Sequence, residues 1–218
     1  MFNTVQFYYF SPTGGTKACG ECFCKAIANN VSAINLGLED AAFNGDCDLA
    51  VFAMPVFAGR IPAVAAEKLS ALNGNGMKAV TLVVYGVRAY EDALLELNNV
   101  VKEANFTVVA SAALVAHHSI VPAVGQGRPD AEDKASIAAF AQQVMAKLAS
   151  GNEEAVTVPG NFPYREAGNM PFTPICLPEC GKCGACVAVC PTKAMVMDDE
   201  GVKTDVDTCI LCMACTAA

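Results

Sequence analysis

Residues 5–16 read Val-Gln-Phe-Tyr-Tyr-Phe-Ser-Pro-Thr-Gly-Gly-Thr. The first half predicts a buried strand because it is rich in β-branched and aromatic side chains. The second half carries three hydroxyls and two glycines, and a helical pattern starts at Lys17. A loop of this kind presents backbone N–H groups at a helix N-terminus, where an anion is favoured. The stretch therefore predicts an α/β fold with a phosphate loop made of Ser11, Pro12, Thr13, Gly14, Gly15 and Thr16.

The loop differs from two common phosphate-binding loops. It lacks the Gly-Lys-Ser/Thr ending that holds a nucleoside triphosphate with magnesium, and it lacks the Gly-x-Gly-x-x-Gly fingerprint of dinucleotide sites. Residues 11–16 contain neither Lys nor Arg, which favours a monophosphate held by neutral donors. The alternative is an ordinary strand-to-helix turn rich in small polar residues.

Apolar strand-like runs alternate with helical patterns over residues 1–150. Strands are predicted over 5–10, 31–36, 48–56, 79–85 and 107–116, and helices over 17–29, 62–72 and 90–104. A last helix is predicted to start at a cap, Asp130 or Asp133, and to run through Leu148. Five strands with helices between them predict a doubly wound parallel sheet of order 2-1-3-4-5.

Composition separates the end of the chain from this first domain. The chain has 218 residues, of which twelve are cysteines, and eight of these lie within residues 176–215. Residues 151–175 are punctuated by Pro and Gly and predict a linker or strap. Residues 176–218 are too few for an ordinary apolar core, so this small domain is expected to need a metal centre.

Charge and hydropathy limit the partners. The net charge of −8 disfavours a nucleic-acid backbone and favours a basic protein partner. The longest apolar stretch, residues 49–59, is shorter than the ~18–20 residues needed for a membrane span. The start of the chain has no basic region or cleavage site typical of export, so we expect a cytoplasmic protein with reduced thiols.

The cysteine spacing predicts two 4Fe–4S clusters. Cysteines 180, 183, 186 and 190, followed by Pro191, form the full bacterial ferredoxin run, and a second run contains cysteines 209, 212 and 215. In two-cluster ferredoxins the fourth Cys of a run ligates the other cluster, so Cys190 is expected to join the second run. The resemblance to bacterial ferredoxins implies an α+β fold for this small domain.

We expect the sequence to continue beyond Ala218 to a Cys-Pro that completes the first cluster; Cys176 is the alternative ligand. Zinc is the alternative metal. The predicted ligands are Cys180, Cys183, Cys186, Cys190, Cys209, Cys212 and Cys215.

The phosphate loop resembles that of the flavodoxins, Ser/Thr-x-Thr-Gly-x-Thr. The match lies at Ser11, Thr13, Gly14 and Thr16. The resemblance implies a flavodoxin-like fold that binds FMN, with the isoalloxazine ring between the loops that follow strands three and four. The implied ring-binding residues are Pro55, Val56, Phe57, Ala58, Gly59 and Arg60 in the first loop, and Tyr85, Gly86, Val87, Arg88, Tyr90 and Asp92 in the second.

Within these loops, Phe57 and Tyr90 offer flat apolar walls for a flavin. Arg60 and Arg88 either place positive charge near the reduced flavin or form ion pairs at the surface. The chain contains no Trp, so the Trp stack common in small flavodoxins is absent. His117 and His118 follow strand five, where either a structural role or a proton donor to the flavin is conceivable.

Nearly the whole chain resembles the flavodoxin–ferredoxin fusion proteins of anaerobic bacteria. Besides the motifs above, residues 85–97, 118–119, 127–130 and 159–164 carry the resemblance. It implies an electron-transfer protein that passes electrons between FMN and two 4Fe–4S clusters and on to a partner, with no catalytic residue of its own. The alternatives are a flavin-dependent reductase of a small molecule fed by the clusters, and an interaction module whose cysteines bind zinc.

Overall fold

The computed structural model of the chain describes residues 1–152, 154–168 and 172–218. Its first part alternates strands and helices: β1 (Phe2–Tyr9), α1 (Gly15–Ile27), β2 (Ala28–Asn35), β3 (Leu49–Pro55), α2 (Ala63–Ser70), β4 (Lys78–Tyr85), α3 (Ala93–Glu103), β5 (Thr107–Val115) and α4 (Ala131–Ala149). The small C-terminal part contains α5 (Ala185–Ala188), β6 (Met195–Met197), β7 (Val202–Thr204) and α6 (Ala214–Ala217).

The first five strands form one parallel sheet in the order β2-β1-β3-β4-β5. This confirms the predicted flavodoxin-like architecture and its strand order. All seven residues of the central strand β3 are buried, because apolar layers cover both faces of the sheet. One layer contains Tyr8, Phe52 and α3, and the other contains Phe7, Phe23 and α4.

Several helix ends differ from the prediction. Helix α1 begins two residues earlier than expected and ends at Ile27, because β2 starts directly at Ala28 to pair with Phe2 of β1. Helix α3 begins at Ala93 instead of residue 90, and residues 90–92 belong to the preceding loop. Helix α4 is capped by Asp130 in a capping box with Asp133, which decides between the two predicted caps.

The predicted linker contains no helix or strand among its described residues; residue 153 and residues 169–171 lie outside them. Val156 and Val158 pack against the apolar layer that contains α3. Beyond the linker, β6 and β7 pair as an antiparallel hairpin. Cys212 and Ala214 are buried and belong to the same apolar layer as α3, so the C-terminal part packs onto the α/β part.

Among residues 1–152, 154–168 and 172–218, no helix has the length and apolar character that a membrane crossing requires.

Gly20 in α1 permits the close approach of that helix to β1. A Cβ at this position would lie 2.6 Å from Cε2 of the Phe7 ring and closer still to its Cζ. Because Phe7 is fully buried, its ring has little room to move away. We expect Gly20→Ala to lower the free energy of unfolding by about 1–3 kcal/mol, the usual cost of overpacking a core. Urea unfolding of the variant checks this. Gly168→Ala is the matched control, because its Cβ would meet only Ala58 at an ordinary 3.8 Å.

Candidate functional site

The carboxyl ends of β1, β3, β4 and β5 meet at one edge of the sheet, where an open parallel sheet binds its ligands. Four connections leave from this edge: the phosphate loop, residues 56–62, residues 86–92 and residues 116–130. The structure therefore brings the predicted phosphate loop and both predicted ring loops to the same edge. The main-chain N–H of Asp92 donates to the carbonyl of Gly59 at 3.1 Å, which joins the two ring loops directly.

The phosphate loop is closed by its own polar groups. Ser11 Oγ accepts from the N–H of Lys17 at 2.9 Å, and Gly14, at φ +88°, makes the turn into α1. The N–H groups of Gly15 and Thr16 lie in the first helical turn, outside the helical hydrogen-bond ladder. Thr16 is buried, whereas Pro12 and Thr13 are half-buried and Gly14 is exposed. The loop thus offers unpaired backbone donors together with hydroxyls, which suits an anionic group.

Two histidines lie between the phosphate loop and the second ring loop. A Cβ on Gly15 would be 3.9 Å from Cε1 of His117, and one on Gly86 would be 2.8 Å from Cδ2 of His118. Nδ1 of His117 lies 3.2 Å from the carbonyl oxygen of Arg128. Because a carbonyl oxygen only accepts hydrogen bonds, this nitrogen is the donor. The Nδ1 of His118 accepts from two main-chain N–H groups, at Ile120 and Val121. Each ring is thereby held in one orientation beside the site.

The first ring loop is a two-residue turn. The N–H and C=O groups of Phe57 and Arg60 exchange hydrogen bonds of 2.9 and 3.0 Å around Ala58 and Gly59, which have φ +51° and +85°. Both central residues of a type I′ turn need positive φ. Phe57 packs edge-on against Phe10, with 6.3 Å between ring centroids. Pro55 ends β3, and Val56 donates to the carbonyl of Val84.

The second ring loop begins at Tyr85, whose ring packs edge-on against Tyr90 at 5.6 Å. Gly86 is followed by Val87 at φ +70°, an uncommon conformation for a β-branched residue. Such backbone strain concentrates at binding sites. Phe57 and Tyr90 are both half-buried, so each keeps part of its ring surface exposed.

Three charged residues of the predicted site are engaged with other protein groups. Arg60 donates to both carboxylate oxygens of Glu96, at 2.6 and 2.7 Å, and this hydrogen bonding raises the pKa of Arg60. Arg88 is mostly exposed and pairs with Glu91 at 2.5 Å. Asp92 is only 2% exposed and its carboxylate binds residues of the linker. For both arginines the structure shows the ion-pair alternative, and contact of these three residues with a flavin stays a prediction.

Residues 159–165 of the linker, here called the clasp, lie across the two ring loops. Asp92 Oδ1 accepts from the main-chain N–H and from Nδ2 of Asn161, and Oδ2 accepts from the N–H of Arg165, at 2.8, 3.0 and 2.8 Å. Arg60 donates to the carbonyl of Arg165 at 2.8 Å and stacks 4.8 Å above the ring of Tyr164. The clasp therefore contacts the first ring loop and the second at once.

The C-terminal cysteines form two sets that differ in burial. The four predicted ligands Cys190, Cys209, Cys212 and Cys215 line one small cavity with Pro174 and Met195. Cys212 is 8% exposed, and burial raises the pKa of its thiol to about 11. Cys190 comes from the first motif and the other three from the second, so residues of both motifs line this cavity. Their ligation of one cluster stays a prediction.

The remaining predicted ligands are more accessible. Cys180 and Cys183 are exposed and Cys186 is half-buried. The N–H of Lys182, followed by the thiol of Cys176, lowers the pKa of Cys180 through hydrogen bonds. Cys176, the alternative ligand, thus lies beside Cys180. Within the described part of the chain, no three Cys, His, Asp or Glu side chains are placed to hold a single metal ion.

Sequence reasoning missed the residues that bind the clasp. No sequence pattern indicates Glu91, Glu96 or Asn99, although all three contact the clasp or Arg60. The available signal was the stretch 159–164, which carried part of the family resemblance. No residue type in that stretch indicates by itself which loop it contacts.

The fold is similar to solved flavodoxin structures. A flavodoxin from Streptococcus pneumoniae TIGR4 matches with a TM-score of 0.52 and 18% identity, covering 66% of this chain and 99% of the flavodoxin. A short-chain flavodoxin associated with a non-canonical PDU bacterial microcompartment matches with a TM-score of 0.51 and 15% identity, covering 66% of this chain and 98% of the other. No protein-family model matches the chain, and no curated protein matches it either. The comparisons show a flavodoxin-like fold over two thirds of the chain.

The charge of Asp92 predicts an acid-sensitive contact. Main-chain N–H groups, that of Arg165 first, hold the pKa of Asp92 below its ordinary 3.8. A carboxylate with a lowered folded-state pKa stabilises the fold above its unfolded-state pKa and loses this contribution as the pH falls through the folded-state pKa.

We therefore expect the difference in unfolding free energy between wild type and Asp92→Asn to be constant above about pH 5 and to shrink below 3.8. Urea titrations from pH 7 to pH 3 measure it. Asp40→Asn, at an exposed position, controls for the change in net charge. A difference that grows with acidification would contradict the assignment.

Proposed function

We propose that the protein is an electron carrier that binds one FMN and two 4Fe–4S clusters and exchanges electrons with a redox partner protein. The observation that carries the proposal is the single cavity lined by four cysteines from two motifs, in a chain whose flavodoxin-like sheet places a phosphate loop at its ligand-binding edge. Neither feature alone requires the other. Their combination in one chain suits a protein that joins a flavin to iron–sulfur clusters.

The α/β part supplies the binding groups for FMN. The hydroxyls of Ser11, Thr13 and Thr16 and the first N–H groups of α1 bind the phosphate. Phe57 and Tyr90 would offer apolar ring surface to the flavin, and the turn at Ala58 and Gly59 would offer main-chain groups to its polar edge. When bound, FMN supplies chemistry with one or two electrons.

The C-terminal part supplies thiolates for the clusters. In a 4Fe–4S cluster each of the four thiolates binds a different iron, so the ligands surround a cavity instead of converging on one point. The position of Cys190, Cys209, Cys212 and Cys215 around one cavity supports their assignment as the ligands of one cluster. Cys180, Cys183 and Cys186 are the ligands of the second, more exposed cluster, and each cluster supplies chemistry with one electron.

The metal and flavin content of anaerobically purified protein tests the proposal. We expect about eight iron, about eight sulfide and one FMN per chain, because each cluster contains four of each. About four to seven iron would indicate that the exposed cluster lacks a ligand. Zinc without flavin would overturn the proposal in favour of a zinc-binding module. Rapid oxidation of the reduced flavin by a small molecule would favour the reductase alternative.

The phosphate loop predicts a selective loss of flavin. Replacement of Thr13 and Thr16 together by Val keeps the side-chain shape and removes two hydroxyl donors. We expect FMN affinity to fall at least about 100-fold, since hydrogen bonds to charged groups contribute ~1.5–3 kcal/mol each. Fluorescence titration with FMN measures the loss, and iron content is expected to stay unchanged. Thr107→Val, at the opposite end of β5, is the matched control.

The ligand sets predict which cysteine variants are equivalent. Cys190→Ser and Cys212→Ser are each expected to remove the same cluster, which leaves about four iron per chain. The double variant Cys190→Ser, Cys212→Ser is expected to contain as much iron as either single variant. The double variant Cys190→Ser, Cys183→Ser is expected to lose both clusters. Cys47→Ser, in the α/β part, is the control. If Cys190→Ser and Cys183→Ser proved equivalent instead, the crossed assignment would be wrong.

A further inference from the structure

The clasp contacts the ring loops through charges that are buried in the fold. Asp92 is 2% and Glu96 is 6% exposed. A buried carboxylate costs several kcal/mol unless N–H or cationic donors surround it. Two of the three N–H groups at Asp92 belong to Asn161 and the third to Arg165. The carboxylate in the second ring loop is therefore satisfied by residues of the clasp.

The first ring loop depends on the clasp in a second way. Arg60 is held between the carboxylate of Glu96, the carbonyl of Arg165 and the face of the Tyr164 ring. The hydroxyl of Tyr164 in turn accepts from Asn99 of α3 at 2.7 Å. Tyr164 thus joins the 57–60 turn to α3, the helix that the second ring loop enters.

Close packing leaves this arrangement little freedom. A Cβ on Gly59 would lie 2.6 Å from Cδ of Arg165 and would overlap the carboxylate of Glu91, which pairs with Arg165. A Cβ on Gly160 would lie 2.6 Å from Cβ of Leu95 in α3. Glycine is thus required on both sides of the contact. Movement of the clasp and movement of the ring loops are therefore coupled.

We propose that the clasp is a positioning element for the flavin ring: residues Asn161, Tyr164 and Arg165 fix the spacing of the 57–60 and 86–92 loops and thereby set the affinity for the isoalloxazine. This inference rests on the proposed binding of FMN. It gives Arg60 and Asp92 the role of positioning residues that act through the loops. The linker thereby acts on the flavin site in addition to connecting the two parts of the chain.

Ring binding and phosphate binding are separable because riboflavin carries the ring without the phosphate. We expect the double variant Tyr164→Ala, Asn161→Ala to bind FMN and riboflavin more weakly by the same factor. The affinity for each flavin should fall about 10-fold, because two or three weak contacts are lost. The variant with Thr13 and Thr16 replaced by Val is expected to lose affinity for FMN but to keep its affinity for riboflavin. Tyr164→Phe keeps the ring beneath Arg60 and is expected to restore most of the affinity. The titrations use the flavin-free protein at a temperature well below its unfolding transition.

Two controls separate positioning from general destabilisation. Phe172→Ala removes an aromatic ring of the linker that lies outside the clasp and is 51% exposed, and it is expected to leave both affinities unchanged. Phe140→Ala removes a ring that packs on Phe23 in the opposite layer, and it is expected to lower stability without a change in riboflavin affinity.

The outcomes distinguish the two proposals. If wild type binds FMN but the clasp variant binds riboflavin as tightly as wild type does, the clasp has no positioning role. The same conclusion follows if Phe140→Ala weakens riboflavin equally at an equal loss of thermal stability. If wild type binds neither FMN nor riboflavin, the proposed function fails and the clasp proposal fails with it.

Discussion

Parallel pairing of β1, β3 and β4 is the constraint on which the rest of the structure depends. A parallel strand must be followed by a crossover, so every strand leaves the sheet at the same edge. As a result, the phosphate loop, the two ring loops and the histidine pair lie at one edge of the sheet, although up to about 100 residues separate them along the chain. Burial of β3 on both faces follows from the same rule, because the crossover helices cover both sides of a parallel sheet.

The same edge explains why the linker contacts the α/β part at the two ring loops. Loops that project from a sheet leave main-chain and charged groups without partners in regular structure. Here the clasp supplies donors to Asp92, and Arg60 supplies a donor back to the clasp. Each segment therefore satisfies polar groups of the other.

Much of the fold and part of the candidate site were predictable because the relevant signals are local. The strand order follows from the βα alternation, and the phosphate loop occupies six consecutive residues. Cysteine spacing grouped Cys190 with Cys209, Cys212 and Cys215, and the structure places all four around one cavity. These patterns require no knowledge of distant contacts.

The clasp contacts were not predictable for the opposite reason. Asp92 and Asn161 are 69 residues apart, and Arg60 and Arg165 are 105 apart. An arginine beside a glycine turn suits a flavin or a carboxylate equally well, so sequence left both alternatives open for Arg60. The start of α3 was misplaced because residues 90–92 are held in the loop by the same tertiary contacts.

The uneven burial of the cysteines has a chemical consequence. Burial raises the pKa of Cys19 to about 12 and also raises that of Cys24, so neither thiol ionises readily in the native chain. Cys176, Cys180 and Cys183 are exposed, and only a thiolate reacts quickly with an alkylating reagent. Alkylation followed by mass spectrometry therefore reports on the two parts of the chain separately. Labelling at Cys19 records opening of the α/β part, whereas labelling at Cys180 and Cys183 records whether their sulfurs are free of metal.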